Sequence, residues 1–156
     1  MGVLLNIGFR PFYLLGAVFA VVAMAAWLAV FAGMASFGAY LPSVFWHSHE
    51  MVFGFSMAVM TGFLFTAVRN WTGQPTPSGV VLGAIAVVWI AARIFLVVGP
   101  VSIGIVLDLL FLPLVAISIA APIFRSRNQR NFKIVAIVAV LAILHFVFHL
   151  VIHLRD

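Results

Sequence analysis

The stretch "FWHSHEMVFGF", residues 45 to 55, sets His47, His49 and Glu50 among aromatic and aliphatic side chains. Three more histidines, His145, His149 and His153, recur four residues apart near the end of the chain. Imidazole suits iron, copper and zinc. A carboxylate beside it can orient a ligating ring through its second nitrogen or carry a proton. Arg93 and Asp108 also fall inside long apolar runs. His47, His49, His145 and His149 are therefore candidate metal ligands, and with His153 and Arg93 they are candidate cofactor-binding residues. Arg93 is suited to an anionic group such as a haem propionate, and Glu50 and Asp108 to support or proton transfer. The chain has no cysteine, which argues against iron–sulfur and blue-copper centres.

These residues stand in a chain that is 66% hydrophobic and 7% charged over 156 residues, the profile of an integral membrane protein. The net charge of +5 does not indicate a nucleic-acid partner. Arg125, Arg127, Arg130 and Lys133 crowd into one short loop between apolar runs, which is a topology signal and not a binding surface. The expected surroundings are a lipid bilayer.

A helical span needs about 20 apolar residues. Proline, glycine and charge punctuation predict an all-α bundle of five transmembrane helices, at 11–35, 43–68, 78–98, 101–124 and 132–154, forming one domain over 1–156. The first run is too long for a signal-peptide core and reads as a retained span. Pro11 and Pro42 suit first helical turns, and Pro113 is expected to kink the fourth span. Arg10, Arg69 and the basic loop flank the same side, with Asn128 and Asn131 as solvent-facing loop residues, whereas the connections at 36–42 and 99–100 carry no charge. The positive-inside rule then sets the N-terminus in the cytoplasm and the C-terminus outside, with Arg155 beside Asp156 as the one basic residue there.

With that topology and a rise of about 1.5 Å per residue, every intramembrane ionisable group falls in the outer leaflet. His145 lies deepest at about 13 Å, Asp108 at about 10 Å and Arg93 at about 8 Å. Such groups are expensive in lipid unless they pair, face a cavity or bind something. His145, His149 and His153 share a helical face. His47 and His49 point to different sides of a regular helix, so one faces the interior and the other needs a separate partner, while His47 and Glu50 share a face. Arg93 and Asp108, of opposite sign at matching depth, suit a structural ion pair. Three classes of function fit this layer: a haem or metal site, a proton or small-solute pathway, and a set of polar locks in a structural or assembly subunit.

"GFRPFYLL" at the first span, "WHSHEMVFGF" and "GFLFTAVRNWTG" at the two ends of the second, "DLLFLPL" in the fourth and "RNQRNFK" before the fifth resemble, in this order and spacing, the NnrS family of bacterial membrane proteins. The resemblance implies a multi-pass protein of the bacterial inner membrane that carries haem, of b type, with copper as a further metal. It also implies a role in nitric oxide response, detoxification or electron transfer, with nitric oxide as the small gas ligand. As an enzyme it would be a haem-dependent oxidoreductase, and whether it turns over stays open. The motifs carry over Arg10, His47, His49, Glu50, Arg69, Asn70, Trp71, Asp108, Arg130 and Asn131. The family pattern is longer, so the chain matches its N-terminal part, either as a short homologue pairing with itself or with another subunit of a membrane complex, or as a fragment.

Overall fold

A computed structural model describes residues 3–35, 40–127 and 129–154. Asn128, the pair Arg155 and Asp156, and residues 36–39 of the connection at 36–42, to which the sequence assigned roles, lie outside the described residues.

In hydrocarbon a backbone must satisfy its own hydrogen bonds, and these apolar runs do so as helices. Helix α1 covers Phe9–Phe31 and follows a short 3-10 turn, Val3–Leu5, to which Arg10 is tied by an Nη1 hydrogen bond to the Val3 carbonyl at 2.9 Å. Helix α2, Ser43–His49, passes through a π-helical segment, Glu50–Ser56, into α3, Met57–Thr72. Helices α4, Gly79–Val98, and α5, Val101–Arg125, form a hairpin, and α6, Phe132–His153, follows a 3-10 turn at Gln129–Asn131. With α2 and α3 as one continuous span, five helices are long and apolar enough to cross a membrane. The chain is an all-helical, multi-pass membrane protein.

The boundaries shift from expectation for local reasons. The first helix begins at Phe9, so Pro11 sits within its opening turn, where no intrahelical bond is lost. The second span runs four residues past the expected end at 68, to Thr72, where Gly73 takes φ +63° and its N–H donates to the Arg69 carbonyl at 3.0 Å. Helix α5 runs on through both Pro113 and Pro122.

Helix α5 lies between α4 and α6, and α3 joins it to α1. Phe12, Phe65, Leu82, Phe111, Leu112 and Ile119 fill the main core. Two close approaches set the helix spacing. A Cβ on Gly62 would come within 3.0 Å of Phe12 Cβ, which fixes α1 against α3. A Cβ on Gly104 would reach the Leu96 backbone at 2.8 Å, which fixes α5 against α4. The outward faces carry exposed Val, Leu, Ile and Phe, as a lipid-facing surface requires.

Candidate metal centre

The π-helical segment decides how the second span meets its neighbours. Its wider turn carries one residue more than an α-turn, and such segments recur at functional sites. Ser56 reflects the changed register, its hydroxyl donating to the Met51 carbonyl five residues back at 2.8 Å. His49 and Glu50, adjacent in sequence where the π segment begins, are both buried, and His49 Nδ1 meets Glu50 Oε1 at 3.1 Å. The backbone is still α-helical at Glu50, whose N–H donates to the Trp46 carbonyl, so His47 and Glu50 keep the three-residue helical spacing expected of them.

His47 turns the other way. Its ring stacks on Trp27 of α1 at 4.4 Å between centroids, and its Nδ1 is buried without a hydrogen-bond partner among the described residues. Of the pair, His49 is the one that faces the interior.

His49 from α2, Asp108 from α5, and His145 and His149 from α6 converge there, with one donor atom of each within 4.8 Å of all the others. Asp108 Oδ2 lies 3.0 Å from His49 Nε2 and 3.1 Å from both His145 Nε2 and His149 Nε2. His49 Nε2 and His145 Nε2 are 3.0 Å apart. All four residues are buried, with His49 and Asp108 only 1% exposed. Asp108, expected as a support, thus has its carboxylate at the middle of the histidines. His153 continues the α6 face but is exposed and stays outside the cluster.

Around the four stands a supporting ring. Arg93 of α4 is ion-paired to Asp108 Oδ1, and its Nη1 lies 3.3 Å from Glu50 Oε2. Both carboxylates therefore share the guanidinium, whose Nε has no hydrogen-bond partner among the described residues. Phe53 stacks on His145 at 4.1 Å with rings 11° apart, and Tyr40 Oη lies 2.8 Å from His149 Nδ1. The Trp89 indole N–H donates to the Gly54 carbonyl at 3.1 Å and so holds the π segment against α4.

This donor set can be tested against the groups a histidine layer suggests. At about 2.0–2.1 Å per metal–nitrogen bond, tetrahedral neighbours stand about 3.3 Å apart and trans ligands about 4 Å apart. The three Nε2–Oδ2 spacings and the one between His49 and His145, 3.0 to 3.1 Å, are near that of neighbouring ligands on a single ion, within a set that spans up to 4.8 Å. His49 and His145, with their Nε2 atoms 3.0 Å apart, leave no space for a haem ring between them as its two axial ligands. Imidazole with one carboxylate suits copper, iron or zinc. With Nε2 turned to the centre, the second nitrogen of His49 faces Glu50 and that of His149 faces Tyr40, the partners that fix ligating imidazoles elsewhere. Charge agrees, since two carboxylates surround one guanidinium and leave an excess that a cation would offset.

A family model described as NnrS protein matches residues 3–156. The chain belongs to the NnrS family. No curated protein and no solved structure matches it. The motif residues of this NnrS chain fall at two ends of the bundle. "GFRPF" and "GFLFTAVRNW" pack together at one end, where the rings of Phe12 and Phe65 meet edge to face at 6.1 Å and Asn6, Arg69 and Asn70 line one shallow pocket. "WHSHE" and the aspartate of "DLLFLPL" meet at the other end.

Sequence reasoning did not find Tyr40, Phe53 or the Gly54–Trp89 bond. Nothing in the spacing of "GAYLP" points to a residue 109 positions away, and Phe53 reads as one of many lipid-facing phenylalanines. The glycine inside "MVFGF" was the one visible sign of a close approach.

Proposed function

We propose that this NnrS-family protein is a membrane metalloprotein that holds one transition-metal ion, copper or iron, between His49, Asp108, His145 and His149. The observation that carries the reading is that these four donors, from three helices, lie buried within 4.8 Å of one another. Glu50 and Tyr40 orient His49 and His149, and Arg93 fixes the second oxygen of Asp108. A bound copper or iron ion would supply a redox change and an exchangeable position for a small gas. The activity we assign is accordingly nitric oxide response, detoxification or electron transfer, in line with the family resemblance. His47 and His153 serve as accessory residues near the outer end, not as ligands of this ion. The five helices form one domain in the bacterial cytoplasmic membrane, with the N-terminus inside, so that the site lies in the outer leaflet.

The resemblance also implies haem, and the donor spacing favours a bare ion over it. Metal analysis of detergent-purified protein, with absorption spectra before and after reduction and with nitric oxide added, separates the two. One equivalent of copper or iron without a Soret band, and a spectrum that changes with the gas, is the expected result. A Soret band would return the reading to haem.

A metal-free reading has its own support, because the ion pair of Arg93 with Asp108 and the contact of His49 with Asp108 would lock the helices unaided. Protein without metal, and without gain of stability when copper, iron or zinc is added, would favour it.

A further inference from the structure

The inner faces of α1 and α4 leave a groove of about 380 Å³ between them. Leu15, Val18, Val22 and Ala26 line one side and Ile90 and Ile94 the other. Val18, Val22 and Ile94 are also exposed on the lipid-facing surface, so whatever enters the groove comes from the bilayer. Trp46 and Trp89 line it as well, and so does one ionisable residue, Arg93. Arg93 is only 7% exposed, and its Nε is buried with no hydrogen-bond acceptor among the described residues. A buried donor left unmade costs about 1–3 kcal/mol, more on a charged group. The natural occupant therefore brings an acceptor.

Charge narrows its chemistry. Glu50 and Asp108 already contribute two carboxylates against the one guanidinium. A phosphate or carboxylate headgroup would add a third anion beside them in a low-dielectric setting, whereas a neutral carbonyl oxygen takes the N–H without that penalty. The walls are apolar and include parts of two indoles, which suits a ring with an apolar tail. We propose that this groove binds a membrane-dissolved, neutral, carbonyl-headed molecule of the quinone class, with Arg93 as its hydrogen-bond donor. The site is separate from the metal set and reaches it through Arg93, by way of Asp108 and of Glu50, so it stands whether or not a metal is bound.

The test is a titration of the intact purified protein in phosphatidylcholine nanodiscs with decylubiquinone, read as quenching of tryptophan fluorescence. Saturable quenching is expected. Ala26→Phe or Ile90→Phe, which fill the groove from opposite walls, should raise the half-saturating concentration about tenfold or more. Palmitate, an anionic chain of comparable size, should not compete. Unaltered protein labelled with a photoreactive azidoquinone should carry the label on residues 15–26 and 89–97, a readout that needs no variant. Linear quenching, quenching unchanged in a folded groove-filling variant, competition by palmitate, or label elsewhere would each overturn the assignment.

Discussion

His49 Nε2 lies 3.0 Å from His145 Nε2, although 96 residues separate them in the chain. Both nitrogens also approach Asp108 Oδ2, so without a metal they crowd around one carboxylate oxygen. With a metal, both lone pairs turn to one centre and the second nitrogens become donors. For His49 that donor meets Glu50 Oε1.

Removal of a ligand should therefore abolish tight binding. His145→Leu is expected to weaken copper or zinc affinity by about 100-fold or more, at least the upper range seen for supporting residues of metal sites. His153→Leu, outside the cluster, should leave it unchanged. Competition against a chromophoric chelator measures both, and equal losses in the two variants would sink the four-residue set.

Tyr40 Oη lies 2.8 Å from the far nitrogen of His149. Tyr40→Phe keeps the ring and removes the hydroxyl, so the bundle should melt as before while metal affinity falls by about 10- to 100-fold. Unaltered affinity in this variant would mean that His149 is not a ligand.

Arg93 is the one guanidinium between Glu50 and Asp108. Arg93→Met leaves buried carboxylates without their partner, and a loss of about 3–5 kcal/mol is expected in detergent unfolding experiments. Adding Glu50→Gln to that variant should recover part of the loss, because one of the stranded charges is then gone. Absence of any recovery would mean that Glu50 draws little from the arginine.

The sequence carried the helices and the polar layer further than it carried the contacts. Apolar runs punctuated by Pro42, Gly73 and the Gly99–Pro100 turn are read almost directly, since lipid permits little but helices there. Depth alone brought His49, Asp108, His145 and Arg93 to one level. Which histidine of "WHSHE" turns inward was not legible, because two residues apart on a helix they point to different sides and only the packing of the neighbouring helices selects one. Tyr40 was equally hidden, as a loop residue whose partner is fixed by tertiary packing.

Gly54 sits where the π-helical segment meets α1 and α4. A Cβ there would fall 2.7 Å from Glu50 Oε2, 2.9 Å from Phe19 Cε1 and 3.0 Å from Arg93 Nη1. Gly54→Ala should cost about 1–3 kcal/mol as an overpacked site. It should also displace Glu50, so that metal affinity falls with stability. Gly33→Ala, where nothing lies within 4 Å, has φ +71° and thus tests strain without crowding. If only Gly33→Ala lowered stability, the close packing around Gly54 would be refuted.

Orientation is open to direct measurement because the chain has no cysteine of its own. Ser102 near the start of α5 and Gln129 before α6 are both exposed, at opposite ends of the bundle. The basic residues around Gln129 predict a cytoplasmic loop. A membrane-impermeant maleimide added to intact spheroplasts should label Ser102→Cys and spare Gln129→Cys, and inside-out vesicles should show the reverse. The opposite pattern would move the histidine set to the inner leaflet and reverse the side from which its polar ligands arrive. It would leave the donor geometry itself untouched, because that rests on contacts among helices and not on which face of the membrane they meet.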